Sequence, residues 1–343
     1  MAKKKIEKIG AEAEIEALER KYGMSKPKLN ELTITSTGSI QLDLATNIGG
    51  TPLGKIIELF GPESSGKSTV TLHQISEYQK AFPDKRAVLI DFENSFDLKY
   101  ATSIGVDVDT LLIYQPYSQE QGYDMILGLI EKDIASCIVI DSQTAAAPKA
   151  VIDGEMSDAT IALQARNNSK FCLKVKGLLT VHKTTLFIIS QTRSNIGGMA
   201  ADSNITSGGN AIKFYADMRW KIWKMNDKAH ESNKTTIDVI KNKVGNPFGQ
   251  AKVDILWGKG FDKVGEIIDY ASEFDIIKKS GSWYSYGDIK LGQGSDSVKQ
   301  LFDDNPELYE EIYNKVIECL SQEKQELVDE IEEVEEAEII KNE

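Results

Sequence analysis

Gly61-Pro62-Glu63-Ser64-Ser65-Gly66-Lys67-Ser68 is the stretch of this 343-residue chain that decides its fold. It matches the phosphate-binding pattern G-x-x-x-x-G-K-[ST] at every fixed position. An apolar run at 56–60 predicts a buried strand entering the loop, and residues 67–80 predict a helix leaving it. This strand–loop–helix context favours a phosphate cradle over an ordinary glycine turn. In such a cradle the loop N–H groups and the helix N-terminus both attract anions.

Two side chains of this loop have predicted chemical roles. Lys67 would reach the β- and γ-phosphates of a nucleotide, and the Ser68 hydroxyl would bind Mg²⁺. The loop therefore predicts a phosphate-loop ATPase with ATP and Mg²⁺ as cofactors.

Short apolar runs alternate with helical segments through the first two thirds of the chain. The predicted strands lie at 56–60, 87–91, 111–114, 137–141 and 185–190. This alternation is typical of an α/β fold whose parallel sheet is covered on both faces. Three later strands, at 218–225, 236–242 and 252–257, have more polar alternation and predict an antiparallel extension of the sheet.

The chain divides by composition into four segments. We expect an N-terminal helical segment at 1–32, a core at 33–262, a smaller domain at 263–322 and an acidic tail at 323–343. The first helix could pack on its own domain or on a neighbouring subunit, and the pattern alone favours neither.

The net charge of −13 weighs less against a nucleic-acid partner than its size suggests. The last 21 residues carry a net charge of −8, which leaves −5 for the rest of the chain. The three cysteines have no metal-ligand spacing, no secretory signal is visible, and the apolar runs are too short to cross a bilayer. These features predict a cytoplasmic protein without a membrane partner.

Polar side chains collect where three of the predicted parallel strands end. Asp141 would hold Mg²⁺ through its water shell, Glu93 would orient or deprotonate the water attacking the γ-phosphate, and Gln191 would sense that phosphate. The alternatives are that Asp141 only caps a turn, that Glu93 is a surface carboxylate and that Gln191 is a hydrogen-bonded polar group at a sheet edge.

Two irregular regions follow these strand ends, at about 153–162 and 192–209. Long segments without regular structure are usually functional or mobile. Because both regions follow strands of the nucleotide site, we expect a ligand whose binding is coupled to ATP. The alternative is a pair of ordinary surface loops.

Several segments resemble those of bacterial RecA recombinases, in the same order along nearly the whole chain. The phosphate loop extended to Thr69, the smaller C-terminal unit and the acidic tail are all similar to the family. The other matching segments are Ser36-Thr37-Gly38-Ser39-Ile40, Ile90-Asp91-Phe92-Glu93, Ile138-Val139-Ile140-Asp141-Ser142, Gly208-Gly209-Asn210-Ala211-Ile212-Lys213-Phe214-Tyr215, Lys241-Asn242-Lys243, Gly281-Ser282-Trp283-Tyr284-Ser285-Tyr286 and Gly292-Gln293-Gly294. The resemblance implies a RecA-like ATPase core with a mostly parallel central sheet, an N-terminal helix and a small α+β C-terminal domain.

The resemblance also implies an ATP-dependent recombinase that forms a helical filament on single-stranded DNA and exchanges strands with homologous duplex DNA. ATP would lie between subunits, and the N-terminal helix would pack on a neighbour. Repressor or repair proteins would be further partners. The alternatives are a replicative helicase on the same core, which would need directional unwinding, and an ATP-switched filament scaffold that activates other proteins.

The family's site residues map onto this sequence by position. Glu93 resembles the catalytic glutamate, Gln191 the link from the γ-phosphate to the second DNA loop, and Lys241 and Lys243 the lysines that reach a neighbour's ATP. The implied ATP-binding residues are Gly61, Pro62, Glu63, Ser64, Ser65, Gly66, Lys67, Ser68 and Thr69, with Asp97 and Tyr100 at the adenine. The implied DNA-binding residues are Ile161, Arg166, Ser169, Arg193, Ile196, Gly208 and Gly209.

Some positions depart from the family pattern. Leu173 stands where an arginine is usual, Ala200 replaces a phenylalanine and Asn195 replaces a lysine. Residues 158–161 also differ from the usual first-loop sequence. The departures therefore fall on the positions that the resemblance implies contact DNA and not on the nucleotide site.

Overall fold

A computed structural model describes residues 2–22, 32–155, 162–192, 208–224 and 232–323. The chain separates into two compact units, residues 1–33 and residues 34–343. In the first unit, helix α1 spans Ala2–Tyr22. Its described side chains are mostly exposed, and the pair formed by Arg20 and Glu16 at 3.2 Å links successive turns.

The second unit contains the remaining elements. Its helices are α2 (Ile40–Ala45), α3 (Lys67–Ala81), α4 (Leu98–Ile104), α5 (Gln119–Glu131), α6 (Lys149–Asp153), α7 (Leu163–His182), α8 (Ala211–Tyr215), α9 (Lys263–Glu273), α10 (Ser295–Asp304) and α11, described over 306–323. Its strands are β1 (Ile34–Thr35), β2 (Thr51–Pro52), β3 (Ile56–Gly61), β4 (Arg86–Asp91), β5 (Leu112–Tyr114), β6 (Ala135–Asp141), β7 (Thr185–Gln191), β8 (Met218–Lys224), β9 (Ser232–Asn242), β10 (Gln250–Leu256), β11 (Gly260–Phe261), β12 (Lys278–Ser280), β13 (Trp283–Tyr286) and β14 (Ile289–Gln293).

Within the described residues, nine strands form the main sheet in the order β11-β10-β9-β8-β3-β7-β6-β4-β5. The six strands from β8 to β5 pair in parallel, and β9, β10 and β11 pair antiparallel. The predicted mostly parallel α/β sheet is therefore confirmed, but the antiparallel extension begins at β9 and not at β8, because β8 pairs in parallel with β3. Strand β9 begins at Ser232, four residues earlier than predicted. Its first residues are polar, so the apolar pattern did not reveal them, and they join the sheet through backbone pairing with β10.

Both faces of this sheet are covered by helices. On β3, Ile57 and Leu59 join the apolar core that contains α3 and α4, while Ile56 joins the opposite core with α5 and α7. The same alternation runs through β6 and β7, since successive side chains of a strand point to opposite faces. Burial on both faces explains why these strands appear in the sequence as nearly continuous apolar runs.

The C-terminal domain is α+β, as predicted. Strands β12, β13 and β14 form an antiparallel sheet that packs with α9, α10 and α11 around a separate apolar core. Glu266 of α9 accepts hydrogen bonds from the Ser39 hydroxyl at 2.6 Å and the Ile40 N–H at 2.9 Å. The domain is thereby fixed to the N-terminus of α2.

None of the helices in the described ranges combines the length and apolar character that a membrane span requires.

Candidate nucleotide site and DNA-binding residues

The loop between β3 and α3 has the geometry of a phosphate cradle. Ser64 and Gly66 both have left-handed backbone, with φ of 56° and 96°, which turns successive N–H groups inward. Gly61 packs against β8 so closely that an added Cβ would lie 1.9 Å from the Ile222 carbonyl oxygen. The neighbouring strand therefore requires glycine at the start of the loop.

Lys67 lies inside this loop and is almost fully buried. Its ammonium group donates hydrogen bonds to the carbonyls of Gly61 and Pro62, the first at 3.1 Å. Burial lowers the pKa of Lys67, while the carboxylates of Asp141, Glu93 and Glu63 act in the opposite direction. The cation therefore lies at the bottom of the cradle, beside the acids that end the neighbouring strands.

Asp141 ends β6 opposite the first turn of α3. Its carboxylate is buried and interacts with the Ser68 hydroxyl. Burial raises the pKa of Asp141 to about 6; the Ser68 hydrogen bond opposes this shift, and the neighbouring Glu93 and Asp91 carboxylates add to it. A divalent cation at this position would neutralise the repulsion among these acids.

Glu93 connects two strand ends through one carboxylate oxygen. Its Oε1 accepts hydrogen bonds from the Ser142 hydroxyl, which follows β6, and from the Gln191 amide at the end of β7. The Gln191 contact measures 2.9 Å. The acid and the amide named from the sequence are therefore in direct contact.

The backbone of Gln191 is also held in place. Its N–H donates to the Thr144 hydroxyl at 2.9 Å, and the next N–H, of Thr192, donates to the Gly61 carbonyl at 3.3 Å. The exit of β7 is thus tied both to the segment after Asp141 and to the phosphate loop.

These groups open into one pocket of about 470 Å³. Its lining residues are Glu63, Ser64, Ser65, Gly66, Lys67, Ser68, Thr69, Glu93, Tyr100, Asp141, Ile189, Gln191, Asn233, Thr235, Ile255, Leu256, Trp257 and Gly258. A pocket of this size accommodates a nucleotide-sized ligand.

Sequence reasoning missed one wall of this pocket. That wall is formed by β9, β10 and the turn after β10, and it includes Asn233 and the 62%-exposed Trp257. The available signal in the sequence was a tryptophan followed by glycine at the end of a predicted strand. Trp257 reaches the pocket because antiparallel strand pairing brings it close to the phosphate loop, which lies almost two hundred positions earlier in the sequence.

The two residues expected at the adenine have different environments. The Tyr100 hydroxyl hydrogen-bonds that of Thr69 at 2.8 Å, and the ring lines the pocket. The Asp97 carboxylate caps α4 by accepting from the N–H groups of Lys99 and Tyr100. It also lines a small cavity of about 80 Å³ that shares Ser68, Tyr100 and Asp141 with the main pocket.

Lys241 and Lys243 do not line the pocket of their own chain. The Lys241 ammonium donates to the carbonyls of Lys213 and Phe214 at 2.8 and 3.1 Å, and Lys243 donates to Phe214 at 3.4 Å. Burial lowers the pKa of Lys241 to about 8, and the cations Lys243 and Arg219 act in the same direction. The two lysines therefore cap the C-terminus of α8.

Four of the seven expected DNA-binding residues lie in the described parts of the chain. Arg166 is exposed near the start of α7, and the Ser169 hydroxyl donates to the Ala165 carbonyl of the same helix. Gly208 and Gly209 line a second cavity of about 470 Å³ together with the start of α7. Ile161, Arg193 and Ile196 lie outside the described residues, as do the departures at Asn195, Ala200 and 158–161.

Leu173, one of the departures named from the sequence, is 66% exposed on α7. Lys170 and Lys174, on the same helix, are also exposed. The described part of α7 therefore retains positive charge next to the departure.

Comparison with known families gives matches along nearly the whole chain. The model of the RecA N-terminal domain matches residues 2–262, and that of the RecA C-terminal domain matches residues 265–321. The chain belongs to the RecA family.

Individual RecA proteins are similar over almost their full length. Protein RecA of Bacteroides thetaiotaomicron is 44% identical over 326 residues, covering 92% of this chain and 98% of the relative. Protein RecA of Porphyromonas gingivalis is 42% identical over 337 residues, covering 93% and 98%. Protein RecA of Caldanaerobacter subterraneus subsp. tengcongensis is 42% identical over 324 residues, covering 91% and 94%.

Membership of the RecA family establishes the general activity. The chain is a RecA recombinase, a DNA-dependent ATPase with strand-exchange activity that acts in DNA recombination and repair. No finding favours the helicase or the scaffold alternative.

Proposed function

We propose that this RecA chain couples ATP hydrolysis to DNA through the contact between Glu93 and Gln191. Glu93 would orient and deprotonate the water that attacks the γ-phosphate, and Gln191 would report the state of that phosphate to the segment 192–209. The supporting observation is that one Glu93 oxygen accepts from both Ser142 and Gln191, and that Glu93 and Gln191 line the phosphate-loop pocket.

Lys67 would bind the β- and γ-phosphates. Its present partners are two backbone carbonyls of the loop, so phosphate oxygens at the same place would replace them as acceptors. The negative charge that develops on the γ-phosphate would then lie between this ammonium and the loop N–H groups.

Ser68 and Asp141 fit a site for Mg²⁺. They supply a hydroxyl and a carboxylate, the hard oxygen ligands that Mg²⁺ prefers, and they are in contact with each other. Among the described residues, no group of three or more His, Cys, Asp or Glu side chains is placed to hold a metal ion. The phosphates and waters would complete the coordination, and the ion would neutralise phosphate charge.

Lys241 and Lys243 would act on the nucleotide of a neighbouring subunit in a filament. Neither lines the pocket of its own chain, and Lys241 lies in a concentration of positive charge, since the cations Lys243 and Arg219 each act on its pKa more strongly than the carboxylates of Asp217 and Glu58 do. Such a concentration favours an anionic partner. A neighbour's γ-phosphate would meet this need and would make hydrolysis depend on assembly.

The DNA partners would be single-stranded DNA and a homologous duplex, and repressor or repair proteins would bind the assembled filament. The described support is the exposed Arg166 and the Gly208–Gly209 backbone beside the second cavity. Backbone N–H groups and arginines contact phosphates without reading base sequence. Binding would therefore tolerate different sequences and weaken as salt rises.

The decisive experiment compares Glu93→Gln with wild type in a displacement-loop assay and in ATP hydrolysis with single-stranded DNA. We expect the variant to bind nucleotide with near wild-type affinity and to lose hydrolysis by about 100-fold, because general-base catalysis is worth that much. Glu131→Gln, an exposed change at the end of α5, is the matched control and should behave as wild type. Full hydrolysis by Glu93→Gln would refute the assigned role.

A further inference from the structure

The segment that follows β6 contains a buried amide without a partner. Gln143 is fully buried, and neither its Nε2 nor its Oε1 has a hydrogen-bond partner among the described residues. Buried polar side chains are nearly always paired, because leaving one unpaired destabilises the folded state. An unpaired carboxamide at this place therefore calls for an explanation beyond packing.

The Gln143 side chain lies against Gly208, near the C-terminal end of the second predicted DNA loop. A Cβ added to Gly208 would lie 2.0 Å from Gln143 Nε2, so the amide touches the backbone there. Gly208 and Gly209 both have φ of 86°, a left-handed backbone that favours glycine, and the missing side chain at Gly208 leaves room for the Gln143 amide.

A second buried amide at the same glycine behaves differently. Asn168 donates from Nδ2 to the Gly208 carbonyl at 2.7 Å. Its Oδ1 accepts from Gln119 Nε2 at 2.8 Å and from the Tyr123 hydroxyl at 2.7 Å. Asn168 is thus satisfied on both sides in the described structure, whereas Gln143, packed on the same backbone, is not.

The position of Gln143 in the chain connects this glycine to the nucleotide site. The residue before it, Ser142, donates to Glu93, and the residue after it, Thr144, accepts from the Gln191 N–H. The Gln143 backbone is itself held on β7 by an N–H bond to the Ile189 carbonyl at 2.9 Å. Glu93 and Gln191 therefore each contact a residue that is next to Gln143 in the chain.

We propose that Gln143 is a positioning residue for DNA-dependent hydrolysis: its carboxamide hydrogen-bonds the peptide groups of Gly208–Gly209 when DNA engages the second loop. The bond is absent from the described arrangement and present in the DNA-bound one. A contact made in only one of two states shifts the equilibrium toward that state. The inference rests on the proposed DNA-binding role of the loop that ends at these glycines, and it adds a coupling route separate from the Gln191 side chain.

The test uses the full-length Gln143→Met variant, which keeps the side-chain length and removes both polar atoms. We expect its thermal midpoint to rise by about 2–4 °C, because an unpaired buried amide is replaced by an apolar group. ATP hydrolysis without DNA should stay within about twofold of wild type, and stimulation by oligo(dT) should fall about tenfold.

Asn168→Leu is the matched control, since it removes the satisfied amide at the same glycine. It should lower the thermal midpoint, the opposite of Gln143→Met, because it leaves Gln119 and Tyr123 without their acceptor. Unchanged oligo(dT) stimulation of Gln143→Met, or a lower midpoint for that variant, overturns the proposal. Wild-type hydrolysis that ignores oligo(dT) would overturn the proposed function as well, so the two failures can be told apart.

Discussion

At the scale of single residues, Lys67 is the cation that the phosphate loop encloses. Replacing it with alanine removes the ammonium group together with its hydrogen bonds to the carbonyls of Gly61 and Pro62. We expect Lys67→Ala to lower the ATP hydrolysis rate by at least about 100-fold, because charge stabilisation at the γ-phosphate is lost. A coupled-enzyme assay with single-stranded DNA measures this rate.

Lys80→Ala is the control for that change. Lys80 lies in the same helix, and its exposed ammonium pairs with Glu77 at 2.9 Å. Exposed pairs contribute little, so this variant should hydrolyse ATP normally. Comparable losses in both variants would indicate damage to α3 instead of a specific role for Lys67.

Gly208 permits a second residue-scale prediction, about stability. In Gly208→Ala the added methyl group would meet two buried amides, with its Cβ 2.0 Å from Gln143 and 2.7 Å from Asn168 on a backbone with φ of 86°. We expect a loss of about 1–3 kcal/mol in the free energy of unfolding, measured with urea, because both amides are fully buried and the left-handed backbone disfavours alanine.

Gly177→Ala is the matched control for Gly208→Ala. Gly177 lies within α7, and an added Cβ meets nothing within 4 Å. This substitution should stabilise the protein by about 0.5–1 kcal/mol through helix propensity. An equal effect of the two substitutions would contradict the described packing at Gly208.

At the scale of elements, α9 carries a buried acid that should make stability depend on pH. Burial raises the pKa of Glu266 from 4.5 to about 7, against its hydrogen bonds from Ser39 and Ile40, and the carboxylate of Asp43 adds to the shift. The folded state therefore binds this proton more tightly than the unfolded state does. The resulting stabilisation is complete below about pH 4.5 and is lost as pH rises through about 7.

Glu266→Gln removes the titration and keeps the shape of the side chain. Between pH 5 and 7 the wild-type free energy of unfolding should fall relative to the variant by about 1.4 kcal/mol per pH unit at most. Urea unfolding of both proteins across that range measures the difference, in which the other titrating groups cancel. Parallel pH profiles would show that Glu266 does not titrate in this range.

The sequence predicted the parallel strands more completely than the wall of the nucleotide site. The strands ending at Asp141 and Gln191 are apolar runs with a polar residue at the end, so the local pattern predicted both the strand and the polar side chain that ends it. Trp257 reaches the pocket only because β9 and β10 pair antiparallel beyond β8. Pairing between distant strands is set by tertiary packing, which a local pattern does not contain.

The contact of Glu93 with both Ser142 and Gln191 was predictable from the sequence only in part. The sequence placed all three residues at neighbouring strand ends, since parallel strands end on one edge. It did not indicate that one carboxylate oxygen would accept from both partners, nor that Gln143 between them would remain unpaired. Those details depend on side-chain geometry.

At the scale of the whole molecule, the proposed role of Lys241 can be tested by mixing two inactive proteins. Lys67→Ala lacks the phosphate cation and keeps Lys241, and Lys241→Ala has the reverse defect. If the lysine serves a neighbour, about a quarter of the contacts in a random one-to-one filament would pair an intact loop with an intact lysine. We therefore expect hydrolysis on single-stranded DNA to recover to about a quarter of wild type.

The alternative outcome of this mixing is equally clear. Lys241 also caps α8 through the carbonyls of Lys213 and Phe214, a contact made within its own chain. If that contact were its only contribution, mixing would restore no hydrolysis. Single-protein controls at the same total concentration would exclude recovery caused by crowding on the DNA.

The strand order places β3 at the centre of the main sheet, with β7, β6 and β4 on one side and β8 and β9 on the other. Glu93, Asp141 and Gln191 come from the first side, and Lys241 lies on β9, on the second. If Lys241 and Lys243 of one subunit act on the nucleotide of the next, the two ends of the assembly differ chemically. One terminal subunit would hold a nucleotide that no lysine reaches, and the other would present lysines to solvent, so growth and loss of subunits would proceed at different rates at the two ends.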